Sequence, residues 1–152
     1  MIALLDVNVL VALLDSQHLH HLVAQSWFNR HASSGWASCP ITQNGCIRVL
    51  SALSFKQTAQ GTLSSPHATG QIARRLKNAT QHTSHQFLSD DLSILNEDAI
   101  NFNLVHGHRQ ITDIYLLALA RKHDMALASF DLSIPIAAVV GARSENLINP
   151  AK

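Results

Sequence analysis

Three aspartates stand where apolar segments meet polar ones. Asp6 and Asp131 each follow a short, largely apolar run, and Asp113 directly precedes the apolar stretch 114–120. A carboxylate in such a setting is costly to bury unless it has a partner. Carboxylates that converge on one place repel each other, and a hard divalent cation, which prefers oxygen ligands, relieves that repulsion. The three aspartates together therefore predict a divalent-metal site.

Each aspartate taken alone has a simpler structural explanation. Asp6 can cap the helix that follows it, Asp113 can interact with the positive end of a helix dipole, and Asp131 can start a turn. For a single residue these explanations are favoured. For the set, the metal site is favoured, because the carboxyl ends of neighbouring parallel strands meet at one edge of a sheet, where ligands bind.

The apolar periodicity indicates strands that alternate with helices. Strands are predicted over residues 1–6, 35–38, 85–88, 125–129 and 136–140. Helices are predicted over residues 7–15, 20–31, from Pro40 to about residue 53, 66–80, a short piece within 90–101, and 113–123, with a loop over 55–65. Such alternation predicts an α/β fold with three layers, in which helices cover both faces of a mostly parallel sheet.

Length and composition favour one globular domain. The 152 residues are 47% apolar, and we expect a single domain over 1–152 with a polar tail after about residue 145. Only 14% of residues are charged, against about a quarter in an average protein, which suggests a surface that is covered by a partner or is neutral and polar. The net charge of +1 is not the basic signature typical of nucleic-acid binding.

The cysteines and the first residues point to a cytoplasmic protein. Cys39 and Cys46 have no CxxC or CxxH companion, so neither a zinc site nor a disulfide framework is expected. No basic residue precedes the first apolar stretch, and Asp6 and Asp15 interrupt it. The start is therefore predicted to be neither a signal peptide nor a membrane span.

The segments that carry the aspartates resemble the PIN-domain ribonucleases of the VapC toxin type. The matching segments are residues 4–14 (LLDVNVLVALL), 40–50 (PITQNGCIRVL), 107–120 (GHRQITDIYLLALA) and 126–131 (ALASFD). The resemblance implies a PIN-like fold and a toxin that hydrolyses RNA phosphodiester bonds with Mg²⁺ or Mn²⁺. It implies catalytic and metal-binding roles for Asp6, Asp113 and Asp131, a small antitoxin protein as partner, and a homodimer.

Gln43 departs from the family's pattern, which usually has a glutamate there. Four carboxylates become three, and metal affinity is expected to fall because ligand charge tunes it. We predict that Gln43 lies in the first turn of the helix that starts near Pro40, with its amide facing the acidic pocket. A helix-surface amide is an equally weighted explanation of this residue.

Three further residues are candidates for a supporting role. Asn8 and Thr112 flank two of the aspartates and could hold a carboxylate or a metal-bound water, although capping of the helix 113–123 explains Thr112 equally well. Asp90 and Asp91 follow the predicted strand 85–88, near a carboxyl end of the sheet, and one of them, such as Asp91, could orient the site, although a loop or helix-cap role is favoured.

Two other functions stay open at this level. Loss of the acid at position 43 is compatible with a catalytically weakened module that only binds RNA or an antitoxin. A phosphoryl-transfer domain with a phosphate-accepting Asp6 is a third hypothesis, but that chemistry calls for a second acid close after the first, and residue 8 is asparagine.

Overall fold

The computed structural model describes residues 1–58, 68–82 and 84–152, with the side chains of 55–58 and 82 outside that description. Its strands are β1 (Ala3–Leu5), β2 (Trp36–Ser38), β3 (His85–Phe87), β4 (Ala126–Ala128) and β5 (Leu147–Ile148). Its α-helices are α1 (Val7–Leu14), α2 (His21–His31), α3 (Pro40–Thr58), α4 (Ala68–His82) and α5 (Ile111–Lys122). In this part of the chain, no helix is long and apolar enough to cross a membrane.

The strands form one parallel sheet in the order β3-β2-β1-β4-β5. The central strand, β1, lies between β2 and β4, and Leu4 is in register with Ala37 on one side and Leu127 on the other. The pairing of β1 with β4 continues past the strand, because the Asp6 N–H donates to the Ala128 carbonyl at 3.0 Å. The residues that follow β1 and β4 are therefore neighbours at the carboxyl edge.

Side chains alternate between the two faces of the sheet, as expected for buried strands. Leu4 packs into a core that includes most of the apolar residues of α5. Ala3 and Leu5 point to the opposite face, into a core with side chains from the first four helices. The predicted three-layer α/β/α arrangement around a parallel sheet is thus confirmed.

The chain between β3 and α5 differs from the prediction, because residues 90–101 contain no helix. Short side chains bond the local backbone instead: Ser93 Oγ accepts from the Leu95 N–H, and Asn96 Oδ1 accepts from the Asp98 N–H. Such bonds compete with helical ones. The helix predicted from Pro40 is also longer than expected, since α3 ends at Thr58, and the rest of the loop predicted over 55–65 lies outside the described residues.

The last strand was also predicted at the wrong place. Residues 136–138, directly after Pro135, form a 3₁₀ turn, and the last strand of the sheet is β5 in the segment expected to be a polar tail. The Ser129 N–H donates to the Ile148 carbonyl at 2.9 Å, which continues the pairing of β4 with β5. A strand of two residues carries too little periodicity to be read from the sequence.

Candidate metal centre at the carboxyl edge of the sheet

Asp6 is buried directly after the central strand and caps α1. Its Oδ1 accepts a 2.6 Å hydrogen bond from the Val7 N–H, and its Oδ2 accepts from Asn8 Nδ2 at 2.8 Å and from Ser129 Oγ at 2.7 Å. Burial raises the pKa of Asp6, the three hydrogen bonds oppose that rise, and the nearby Asp131 carboxylate adds to it. The capping role weighed for Asp6 is thus real and coexists with a place in an acidic cluster.

Ser129 and Asn8 form a small network that connects Asp6 to Asp131. Ser129 Oγ accepts from Asn8 Nδ2 at 2.9 Å and from the Asp131 N–H at 3.0 Å, while Asn8 Oδ1 accepts from the Phe130 N–H at 3.2 Å. The loop after β4 is thereby held against the start of α1. Asp131 Oδ1 also accepts from the Ser133 N–H at 2.7 Å, which is the turn-initiating contact expected of that residue.

Asp113 joins this cluster from the first turn of α5. Its pKa is raised to about 6, first by burial and then by the charges of Asp6 and Asp131. Asp113 lines the same cleft as Asp6, and Ser129 joins Asp6 to Asp131. The structure therefore brings the three predicted aspartates to one site at the carboxyl edge of the sheet.

A cleft of about 520 Å³ opens beside two of these carboxylates. It lies between the start of α1, one face of α3 and the start of α5, and its lining includes Asp6, Asn44, Arg48, Asp90, Thr112 and Asp113. Asp131 approaches the same carboxylates from the β4 side. The site is thus an open, acidic depression, in which Asp6 is buried and Asp113 is partly exposed.

The donor set suits a hydrated divalent ion. Among the described residues, no group of three acid, histidine or cysteine side chains is arranged to hold an ion on its own. Mg²⁺ does not require such a cage, because it keeps several waters and binds through one or two carboxylates. Burial and then the charges of Asp6 and Asp131 raise the pKa of Asp113, and a bound cation would oppose both effects. Oxygen-only donors with excess negative charge fit Mg²⁺ or Mn²⁺.

Gln43 lies in the first turn of α3, as predicted, but its amide has a different neighbour. Gln43 Nε2 donates to Ser38 Oγ at 2.9 Å, and Ser38 Oγ also bonds His85 Nε2 at 2.8 Å. The polar residue near the start of α3 that lines the acidic cleft is Asn44, beside the apolar Pro40 and Ile41. The structure thus directs Gln43 to Ser38 at the end of β2, which also bonds His85 at the start of β3, and it places the neighbouring amide where the missing acid was expected.

Asp91 and Thr112 are placed differently from each other. Asp91 lies on the surface with Lys122 and His123, at 3.1 and 3.0 Å, at the opposite end of α5 from Asp113. Thr112 lines the cleft, but it is the second residue of α5, so it does not cap that helix. The predicted helix start at residue 113 was two residues late.

Three residues at the site had no predicted role: Ser129 holds Asp6, and Asn44 and Arg48 line the cleft. Asp90, considered with Asp91 for a supporting role, also lines the cleft. A signal existed for Ser129, since it is a polar residue directly after a buried strand and two residues before Asp131. Asn44 and Arg48 are four residues apart and share one helix face, but only the packing of α3 shows which face meets the acids.

Comparisons with known proteins agree with this geometry. The PIN domain family model matches residues 3–139. Ribonuclease VapC44 of Mycobacterium tuberculosis is 44% identical over 145 residues, covering 95% of this chain and 96% of the relative, and Ribonuclease VapC38 of the same organism is 39% identical over 133 residues, covering 87% and 86%. A solved structure of FitAB bound to an IR36 DNA fragment has the same fold, with a TM-score of 0.66, 20% identity, and coverage of 100% of this chain and 96% of that one.

The family match spans most of the chain, and the acidic cluster lies at the carboxyl edge of its parallel sheet. PIN-domain ribonucleases of the VapC type generally depend on a divalent metal. The chain belongs to the PIN-domain family, together with relatives named Ribonuclease VapC.

Proposed function

We propose that this protein is a metal-dependent endoribonuclease toxin that hydrolyses RNA phosphodiester bonds and is neutralised by a cognate antitoxin. The observation that carries the proposal is the convergence of Asp6, Asp113 and Asp131, which come from the end of β1, the start of α5 and the loop after β4. Membership in the PIN-domain family, with VapC ribonucleases as relatives, supports RNA as the substrate.

The chain's own residues fix the carboxylates rather than react with RNA. The Val7 N–H, Asn8 and Ser129 hold the Asp6 carboxylate in one orientation, and the burial of Asp6 keeps bulk water from competing with a ligand. Burial and the charges of Asp6 and Asp131 raise the pKa of Asp113 to about 6, so binding of a cation there would compete with its proton just below neutral pH. These contacts hold a negatively charged cation-binding site in place at the wall of the cleft.

Asp6, Asp113 and Asp131 would hold the divalent ion. When bound, it would neutralise the carboxylates, polarise the phosphate to be cleaved and make a water nucleophilic at neutral pH. No serine or cysteine nucleophile is then required. Asn8 and Ser129 act on this chemistry only through Asp6 and Asp131, as positioning residues.

The test is cleavage of RNA by the purified protein with Mg²⁺ or Mn²⁺. We expect Asp6→Asn and Asp113→Asn each to lower the rate of RNA cleavage at least a hundredfold, because each removes a negative charge from the metal site. Asp124→Asn is the matched control: the Asp124 side chain is 95% exposed, and among the described residues its ion pair is with Arg121, at 3.9 Å. Cleavage that survives Asp6→Asn, or that proceeds in EDTA, would contradict the proposal.

The same experiment separates the weakened binding module from an enzyme. A protein that binds RNA or an antitoxin but leaves RNA intact at every Mg²⁺ and Mn²⁺ concentration would support that alternative. Gln43 is bonded to Ser38 and does not line the cleft. We therefore expect the neutral amide at residue 43 to weaken metal binding less than the loss of a carboxylate from the cleft would.

We further propose a single PIN-like domain over 1–152, a cytoplasmic location, a small antitoxin partner and a homodimer. Large apolar side chains at the start of α2 support a covered surface, since Leu19 is 89% and Leu22 is 76% exposed. Co-purification with the protein encoded next to the chain's gene, and sedimentation at micromolar concentration, test the two partners. A stable monomer with no bound neighbour would contradict both.

A further inference from the structure

The cleft poses an electrostatic problem for an RNA substrate. Asp6, Asp90 and Asp113 line it, and the chain as a whole carries a net charge of only +1. RNA is a polyanion, and proteins that bind it neutralise backbone phosphates with lysine or arginine. One divalent ion can neutralise the phosphate at the reaction centre, but the phosphates on either side of it would still be repelled by the carboxylates that line the cleft.

Arg48 is the basic residue that lines this cleft. Its side chain is exposed, and in the part of the chain that the structure describes it makes no hydrogen bond or ion pair, although three aspartates share the cleft with it. Other arginines are engaged: Arg30 donates to Ser26 Oγ, and Arg121 donates to the Gly141 carbonyl. The Arg48 guanidinium is therefore available to a ligand.

The position of Arg48 is fixed by the packing of α3 on α1. A Cβ built on Gly45 would lie 2.5 Å from Val7 Cγ2, so the helices approach each other at this point more closely than any other residue would allow. Val7 directly follows Asp6, and Arg48 is one turn further along the face of α3 that carries Asn44. Helix α3 thus places the Asn44 amide beside the acidic cluster and the Arg48 guanidinium one turn further along the cleft.

We propose that Arg48 binds a phosphate of the RNA backbone that flanks the one to be hydrolysed. The inference rests on the proposed ribonuclease function. A guanidinium is suited to this task, because its planar fork donates two parallel hydrogen bonds to phosphate oxygens and stays charged at any working pH. Arg48 touches the substrate away from the reacting atoms, so it contributes to binding and register rather than to the chemical step.

The test compares Arg48→Gln, Arg48→Lys and the control Arg30→Gln, an exposed arginine outside the cleft. The probe is a short, mixed-sequence, labelled single-stranded RNA, bound in EDTA from about 50 to 200 mM salt. Arg48→Gln should weaken binding roughly tenfold and reduce the slope of log K against log salt by about 0.7, the value of one phosphate contact on a single strand. Arg48→Lys should keep the slope and lose part of the affinity, and Arg30→Gln should match the native protein.

Cleavage kinetics and chemically modified RNA provide two further tests of the contact between Arg48 and the RNA backbone. With Mg²⁺, Arg48→Gln should raise KM and leave kcat within about twofold, since it removes binding shared by the ground and transition states. Uncharged methylphosphonates placed one at a time should reveal one flanking position that weakens native binding and has no effect in Arg48→Gln. Unchanged affinity and salt slope in Arg48→Gln, in a protein that cleaves RNA, would overturn the inference alone. A native protein that binds RNA through Arg48 but never cleaves it would support the inference and overturn the proposed function.

Discussion

Ser129 Oγ donates a 2.7 Å hydrogen bond to Asp6 Oδ2, and this contact joins the residue after β4 to the residue after β1. The same oxygen accepts from Asn8 Nδ2 and from the Asp131 N–H. A single buried hydroxyl therefore sets the orientation of one carboxylate and the path of the backbone that carries another. It is the centre of the site's internal support, although it is not itself a candidate ligand.

We expect Ser129→Ala to lower the free energy of unfolding by about 1–3 kcal/mol, because it leaves a buried carboxylate short of one donor. Since the Ser129 hydrogen bond lowers the pKa of Asp6, its loss should also move the acidic limb of the cleavage profile to higher pH. Urea unfolding and a pH–rate profile measure the two effects. Ser133→Ala is the control, because the Ser133 side chain is exposed and only its backbone bonds Asp131. Equal effects of the two variants would contradict the role given to Ser129.

Asp113 should make the metal-free protein less stable as the pH rises. Its pKa of about 6 in the folded protein lies above the ordinary value of 3.8 for an aspartate, so between these values the native state binds more protons than the unfolded state. The free energy of unfolding then falls as pH rises through this window. At pH 7.5 without metal, Asp113→Asn should be more stable than the native protein by about 1–2 kcal/mol after allowance for solvent screening.

The comparison needs thermal unfolding in EDTA at pH 7.5 and at about pH 4, with Asp124→Asn as the control. The advantage of Asp113→Asn should vanish at the lower pH, where the native carboxyl is protonated. Added Mg²⁺ should stabilise the native protein more than the variant, since ligand binding to the folded state adds to stability. An Asp113→Asn protein that is less stable than native at pH 7.5 would contradict the charge repulsion described at the site.

Much of this site could be predicted from the sequence because its three acids sit at element boundaries. Asp6 follows a short apolar run and precedes a helix, so its place at the carboxyl edge follows from the parallel sheet alone. The sequence could not show which face of α3 points towards the three acids. Whether Gln43 or Asn44 faces the acids depends on how α3 rotates against α1, and that rotation is set by the contact of Gly45 with Val7, 38 residues away in the chain.

A similar reason explains the misplacement of Asp91. Asp90 and Asp91 are adjacent in an irregular segment, where no periodicity assigns a direction to either side chain. The structure separates them: Asp90 lines the cleft, and Asp91 pairs with Lys122 and His123. Ion pairs with residues more than 30 positions along the chain are not readable from one sequence.

Asn44→Asp should tighten Mg²⁺ or Mn²⁺ binding more than Gln43→Glu does. Asn44 lines the acidic cleft, whereas Gln43 is bonded to Ser38 Oγ. An added carboxylate near the ion in a partly wet site is worth on the order of 1 kcal/mol, or about fivefold in affinity, and the effect falls with distance. Isothermal titration of Mn²⁺ into the two variants and the native protein measures this difference. A larger gain from Gln43→Glu would mean that the first turn of α3 presents residue 43 to the ion.

Gly45→Ala should destabilise the protein although alanine is the better helix former. The new Cβ would lie 2.5 Å from Val7 Cγ2 and 3.2 Å from Val7 Cγ1, so both methyl groups crowd it and rotation of the Val7 side chain does not relieve the clash. Overpacking of this kind costs about 1–3 kcal/mol. Gly70→Ala in α4 is the matched control: nothing lies within 4 Å of its added Cβ, so it should stabilise the protein by about 0.5–1 kcal/mol.

The double variant Val7→Ala with Gly45→Ala tests the cause. If the clash with Val7 is responsible, the double variant should be more stable than the sum of the single effects predicts, by at least about 0.5 kcal/mol. Because the same contact places Arg48 along the cleft, Gly45→Ala should also weaken RNA binding, and the double variant should recover part of it. Denaturant unfolding measures the stability, and RNA titration the affinity, of the native protein, the two single variants and the double variant. Additive free energies would show that Gly45 acts through some other neighbour, and a stabilising Gly45→Ala would show that α3 does not lie against Val7 as closely as described.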